Sequence, residues 1–558
     1  MKKREDIKRE INTLKFVWKM ATGEHGKMLI VIFLNILSGA LPAGIAWVVK
    51  NYMDTNFADL FRKEDLILFF TLIVCGIFIK MTANLIMGYT MPNIKRNIEI
   101  NCIKKISVLP HAYVLDCIDN RIVMTLSIES GMITSLIPMV YRSFMKAPVT
   151  ILGFVILLLF VSPILTLICL VLISTVIAGV LLFRKAIKQL NKITYNRIGD
   201  LHQYFAEWLN GYKIFVASNA VKFIEKQLVK VSTELSGLSK KITKIAAIQS
   251  LIIEIITIAI TVLFVVIASQ NAVSKGLFNR SELILFPAAI LFIRGEVLNV
   301  IYGYVQLAST ESAAKRIVDI IEYPDIKIPD GEQFDEMIKA LSLKNASFSY
   351  TDSTEQLLDN ASINFNSGQI NTVIGRSGAG KTTFINLCLR LRTLDSGAIL
   401  YNGKDILSFS EKDLMRKIGL VEQEPFIFEG TLAENIFFDR TPDVHCILKL
   451  LDDFELTHLA KSESELFHTQ IGQKGRQLSS GEKQRIAIIR VLAKNVDVIF
   501  FDEVTSSLDT WNAKKIIDCI KVISKDKLVI CASHDIMLIQ ESSMLYEIIN
   551  GKIICKST

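Results

Sequence analysis

The chain is 558 residues long, too long for one ordinary core, and its 51% hydrophobic content exceeds what a soluble protein usually carries. A formal net charge of +8 admits a nucleic-acid partner, yet the basic residues gather at the N-terminus (Lys2, Lys3, Arg4, Lys8, Arg9) and beside apolar runs, which is how membrane topology distributes them; no nucleic acid is expected. Nine scattered cysteines, with neither a CxxC pair nor zinc spacing, read as reduced and structural.

Apolar stretches near the roughly 20 residues that a helix needs to cross hydrocarbon lie at Met28–Val49, Leu66–Met87, Met145–Val161, Ile164–Phe183, Ile245–Ala268 and Leu283–Tyr304. The first begins too late, runs too long and lacks the cleavage site of a signal peptide, so it is expected to be retained. Six spans are expected. Only Ser162-Pro163 separates the third from the fourth, whereas the connections after the second and fourth are long and charged. Lys and Arg from Arg184 to Lys244 crowd the later connection, which places both long connections and both chain ends in the cytoplasm. Helices two to five, continuing past the bilayer, would form legs of about 30 to 38 Å at 1.5 Å per residue. At the tips, Asp119–Glu129 and Gly211–Val221 read either as short crosswise contact helices or as ordinary loops.

Tyr323-Pro324 and Pro329-Asp330-Gly331 interrupt the helical pattern after the sixth span. The expected division is a membrane domain over 1–322, a linker over 323–340 and a mixed α/β domain over 341–558. In the last part Asn371–Ile374, Val496–Phe501 and Leu528–Ala532 read as buried parallel strands, short and apolar on both faces.

Gly375-Arg376-Ser377-Gly378-Ala379-Gly380-Lys381-Thr382 follows the first of these strands and opens a helical run with Thr383 next. That context is the one a phosphate-binding loop requires. Glycines turn backbone N–H groups inward, the helix N-terminus adds positive potential, Lys381 reaches the outer phosphates and Thr382 can ligate magnesium. Val498–Phe501 ends in Asp502-Glu503, two carboxylates at a strand tip, where open α/β sheets do nucleotide chemistry. Asp502 would hold Mg2+ and Glu503 would polarise water to attack ATP.

Leu478-Ser479-Ser480-Gly481-Glu482 with Lys483-Gln484-Arg485 resembles the LSGGQ signature of ATP-binding cassette proteins, and the whole chain resembles a bacterial ABC exporter half-transporter. The resemblance implies an all-α six-helix membrane domain of the type I exporter fold, followed by an α/β P-loop NTPase domain. It also gives roles: Tyr350 for adenine stacking, Gln423 for the Q-loop and a magnesium contact, Ser506-Ser507-Leu508-Asp509 for the D-loop and His534 for the switch histidine. In this family two cassettes sandwich two ATP molecules, with Ser479, Gly481 and Glu482 facing the partner's phosphate loop. A second half-transporter chain is therefore the implied partner. Ser480 stands where the family has glycine, Glu482 where it often has glutamine, and Gln473 where an exporter-specific loop usually has glutamate. Because Glu503 and His534 are intact, a homodimer is favoured over a heterodimer.

Charged groups in spans avoid lipid, so Lys80, Asn84, Ser250, Glu254, Thr257, Thr261, Glu296 and Asn299, recurring at helical spacing, are candidates to line a substrate cavity. The competing reading is that Lys80, Arg294, Glu254 and Glu296 pair to hold the bundle. The expected activity is ATP-driven export of a peptide, natural product or drug-like amphipathic compound from a multi-pass protein of the bacterial cytoplasmic membrane, with the nucleotide-binding domain in the cytoplasm. Alternatives are an exporter-fold importer of metal-chelator complexes, a lipid flippase and an ATP-gated channel.

Overall fold

The structure is a computed structural model; it describes residues 15–16, 18–54, 63–117, 129–267, 280–324, 335–350, 356–438, 440, 443–472, 474–506 and 508–556. Two compact units emerge, one of residues 1–109 with 117–324, the other of 110–116 with 325–558.

The first unit is helical. Among the described residues five helices are long and apolar enough to cross a membrane, within His25–Asn51, Ile67–Ile106, Ser130–Val161, Val221–Val266 and Ile284–Leu307. The remaining expected span, the fourth at Ile164–Phe183, lies in helix Pro163–Asn210. Helices Lys63–Ile106 (44 residues), Pro163–Asn210 (48), Val221–Ile267 (47) and Arg280–Ile321 (42) reach about 63 to 72 Å, twice the hydrocarbon thickness, a length that leaves room for legs on the second, fourth and fifth spans, as expected, and on the sixth as well. At the second tip Tyr212–Ala217 forms a short helix; at the first, 119–128 lie outside the described residues.

The third span starts earlier than hydropathy indicates. Helix continues from Ser130 through a π-helical turn at Arg142–Lys146 and then Ala147–Val161. Pro148 lies two residues past the π-helical segment and cannot donate a backbone hydrogen bond. Small residues bring neighbours close to this turn: a Cβ on Gly39 would lie 2.7 Å from the Lys146 carbonyl oxygen, and one on Gly303 would lie 2.3 Å from the Ser143 side chain.

The second unit carries a six-stranded sheet. Its spatial order is Lys552–Lys556, Met544–Ile549, Ile370–Ile374, Leu528–Ala532, Val498–Asp502 and Ile418–Val421, with only the first pair antiparallel. Val498, Phe500, Leu528 and Ile530 pack into one core cluster, while Ile499, Phe501, Val529 and Cys531 pack into another. Burial on both faces explains why these strands read as unbroken apolar runs. Beside it stands an antiparallel sheet built on Ala340–Ser349, Gln356–Asn366 and Ser396–Tyr401.

Candidate nucleotide site

Parallel register assembles the site. Ala532 pairs with Val373 on one side and with Asp502 on the other, and Phe501 pairs with Val421. The four tips therefore stand in one row, about 4.8 Å apart, and the residues just beyond them are Gly375, His534, Glu503 and Gln423. These come from separate stretches of the sequence between 375 and 534, brought together by parallel strand pairing.

The phosphate loop leaves strand Ile370–Ile374 and enters helix Lys381–Cys388 at Gly380, whose φ of +98° favours glycine; Gly378, at +81°, has the same need. Lys381 is buried, and its Nζ donates to the Gly375 carbonyl at 3.0 Å and meets Glu503 Oε1 at 3.1 Å. Thr382 Oγ1 donates to Asp502 Oδ2 at 2.8 Å. Burial raises the Asp502 pKa, and neighbouring Glu503 adds to this, against the opposing hydrogen bond from Thr382 and the Lys381 charge. Its other oxygen, Oδ1, is buried without a hydrogen-bond partner. An orphaned carboxylate oxygen beside a threonine hydroxyl is a hard-oxygen pair that suits magnesium.

Glu503 takes φ +47° at the strand tip, a left-handed conformation for a non-glycine residue. Its N–H donates to the Ala532 carbonyl at 2.8 Å and its carbonyl accepts from Ser506 Oγ at 2.8 Å, which holds that turn. Besides Lys381, the carboxylate faces His534 Nδ1 at 3.5 Å. Gln423 Nε2 donates to Ser506 Oγ at 3.1 Å, so the Q-loop side chain reaches Glu503 through one hydroxyl. The buried Gln484 holds the same loop, its Nε2 donating to the Gln423 carbonyl at 2.7 Å. That support was not apparent from the sequence, although Gln484 lies in the signature segment.

Tyr350 is pinned beside the phosphate loop by a 3.0 Å hydrogen bond with Thr383, an edge contact with Phe348 and the Arg392 guanidinium 4.6 Å over its ring. Helix Ser480–Ala493 starts at Ser479, whose exposed side chain accepts from the Glu482 N–H at 3.2 Å, while Glu482 Oε2 accepts from the Ser479 N–H at 2.7 Å. This reciprocal capping box gives the glutamate of the altered signature a structural role. Asp509 stands at the N-cap position of helix Thr510–Ser524 and its Oδ1 accepts from Asn512 Nδ2, while Asn512 Oδ1 accepts from Arg485 Nη1 at 2.9 Å; a Cβ on Gly481 would lie 3.7 Å from Leu508 and 3.9 Å from Asn512. Gln473 and Ser507 lie outside the described residues.

In the membrane unit, Glu296 is buried and accepts from Lys146 Nζ and from Asn299 Nδ2, each at 2.9 Å, while the Asn299 carbonyl accepts from Ser143 Oγ at 2.8 Å. Arg294 faces Glu254 at 3.9 Å. Pairing between charged groups in the spans is thus present, with Lys146 as the partner of Glu296. Thr257 and Thr261 hydroxyls donate to the Ile253 and Thr257 carbonyls of their own helix. Lys80 and Asn84 are exposed, and Ser250 is half-buried.

A phosphate loop, a two-carboxylate strand tip and a capped signature helix on one cassette, fused to long membrane helices, define an ATPase of the membrane. The chain belongs to the ABC transporters: residues 28–297 match the ABC transporter transmembrane region and residues 358–506 match the ABC transporter family. It is a multi-pass membrane protein that binds ATP and couples its hydrolysis to transport. Similar chains include an ATP-dependent lipid A-core flippase of Vibrio parahaemolyticus, 23% identical over 97% of this chain and 94% of the relative, and a putative export ATP-binding/permease protein of Rickettsia typhi, 27% identical over 95% and 93%. In fold it matches a bacterial Atm1-family ABC exporter with ATP bound, with a TM-score of 0.82, 17% identity and 95% of each chain covered.

Proposed function

We propose that two copies of this chain close around two ATP molecules, and that closure drives an amphipathic compound outward across the membrane. The membrane domain is taken as 1–322, the linker as 323–340 and the cassette as 341–558. The observation that carries the reading is the row of strand tips gathering Lys381, Asp502, Glu503, His534 and Gln423. The capped helix start at Ser479 is exposed and able to offer its hydroxyl and backbone N–H groups to a partner's γ-phosphate.

In the proposed mechanism, Gly375–Thr383 cradles the phosphates and Tyr350 stacks on adenine. Lys381, now shared between Gly375 and Glu503, turns to the outer phosphates and leaves the Glu503 carboxylate to take the proton of an attacking water. His534 orients the γ-phosphate, and Gln423 reports its presence through Ser506. Thr382, Asp502 and Gln423 would hold magnesium, which neutralises phosphate charge. Asp509 positions the signature helix through Asn512 and Arg485.

For the cargo, mixed charges within the spans favour an amphipathic compound with a polar end. A lipid is a second reading, favoured by the lipid A-core flippases of Vibrio and Haemophilus that align over 93–94% of their own length. The test uses the purified chain in nanodiscs. A homodimer that hydrolyses ATP with stimulation by amphipathic peptides or drugs supports the first reading; stimulation by glycolipid alone decides for the second. A monomer hydrolysing ATP at full rate would overturn the two-copy site.

A further inference from the structure

The signature helix is tied to a residue that belongs to none of the nucleotide motifs in sequence. Glu482 uses Oε2 for the capping box, and its Oε1 lies 2.6 Å from Nε2 of His458. A carboxylate only accepts, so His458 Nε2 carries the proton and donates. Burial raises the Glu482 pKa, but the Ser479 and His458 hydrogen bonds outweigh it and hold the carboxyl below its usual range.

His458 sits between helices Val444–Asp453 and Glu463–His468, in a segment anchored by the buried Leu456, Leu459 and Ala460. Its own carbonyl accepts from Arg476 Nη1 at 3.0 Å, a second tie to the chain just ahead of Ser479. The imidazole thus projects from a fixed backbone onto Glu482, one of the two side chains of the box that caps the signature helix. A glutamine at 482 would still cap through its amide oxygen, but it would meet His458 without the charge that makes this hydrogen bond strong.

We infer that His458 is a positioning residue for ATP hydrolysis: by holding Glu482, it fixes the Ser479 hydroxyl and helix N-terminus that meet the partner's γ-phosphate. The inference rests on the two-copy ATP site proposed above. It accounts for the glutamate at 482 as one half of a designed pair, with the other half 24 residues upstream.

The experiment compares His458→Ala, His458→Gln, Glu482→Gln and the His458→Ala/Glu482→Gln double variant of the full chain in nanodiscs. Losing a cap interaction corresponds to about a fivefold effect. His458→Ala is therefore expected to raise the KM for ATP or lower turnover by about that factor, with binding of a fluorescent ATP analogue to the phosphate loop unchanged. His458→Gln, whose Nε2 can replace the donor, restores most of the loss, and His458→Ala costs less in the Glu482→Gln background. Equal activity of His458→Ala and the unaltered chain overturns the inference, as does an equal loss in Ala and Gln variants tracking a lowered Tm. In a Glu503→Gln background, ATP-dependent dimer closure is scored as well. Failure of closure with His458 intact rejects the two-copy reading, whereas closure at the same ATP concentration with and without His458 rejects only the inference.

Discussion

Replacing Glu503 with glutamine isolates the base from the binding site. Glutamine keeps the side-chain length and an oxygen for Lys381, which Glu503 meets at 3.1 Å, and does not alter the hydrogen bonds that hold the left-handed turn, from the Glu503 N–H to Ala532 and from Ser506 to the Glu503 carbonyl. It removes only the negative charge and the proton acceptor. A positioned general base contributes about 10²- to 10⁴-fold, equivalent to about 2.7–5.5 kcal/mol of barrier. Phosphate release by the purified chain in nanodiscs should fall by that factor. ATP should bind at least as tightly, because one carboxylate charge beside the phosphates is gone. Glu503→Ala is a poorer probe, since it strips the buried Lys381 of its carboxylate and perturbs binding. A fall of less than about tenfold, below the range for a general base, would show that water gives its proton elsewhere. Loss of ATP binding by the glutamine variant would also refute the assignment.

Asp502→Asn should raise the Tm of the nucleotide-free protein at neutral pH. Burial lifts the folded-state pKa of Asp502, so the native carboxylate weakens the fold once pH has risen through the ordinary and then the raised value; the gain from asparagine should shrink as pH falls back through that window. Scanning fluorimetry between about pH 4 and about pH 8 checks the sign against the ordinary aspartate value, and a pH-independent gain would remove burial as the cause. Chelating magnesium should stop hydrolysis while ATP remains bound, measured by retained radiolabelled nucleotide. Gly303→Ala should destabilise the membrane unit by about 1–3 kcal/mol through its 2.3 Å approach to Ser143, with Ser143→Gly recovering part of it in chemical unfolding.

The motor is legible in sequence because its parts are local backbone devices. A glycine loop between strand and helix, two acids at a strand tip and a serine at a helix start each need only neighbouring residues. What joins them is register: Ala532 beside both Val373 and Asp502 brings His534 and Glu503 to the same edge as Gly375. Glu482 shows how a local rule is missed when attention stays on a family pattern. Ser479 followed three residues later by Glu482 is itself a capping-box spacing, and the structure forms that box. His458 left no such signal, because its tie to Glu482 depends on a loop folding back from 24 residues away.

In the membrane unit the limits are different, since helical spacing tells which residues share a face but not which face meets which neighbour. Glu296 and Asn299 share a stripe with Gly303, and that stripe packs on the π-helical turn, where Ser143 bonds Asn299 and Lys146 pairs with Glu296. Lys146 falls at the very start of the span that hydropathy reads from Met145, and only helix packing brings it to Glu296, 150 residues away. Breaking that pair should cost about 1–3 kcal/mol, below the range for fully buried pairs because the Lys146 side chain keeps 24% of its exposure. A change at Glu296 therefore acts first on stability, and only then on any cargo. Lys80 and Asn84, on helix Lys63–Ile106 and exposed in a single copy, carry no such structural load. Lys80→Ala should leave Tm and unstimulated ATPase activity unchanged, and if the cargo meets this face it should lower stimulation by an anionic amphiphile more than by a neutral one.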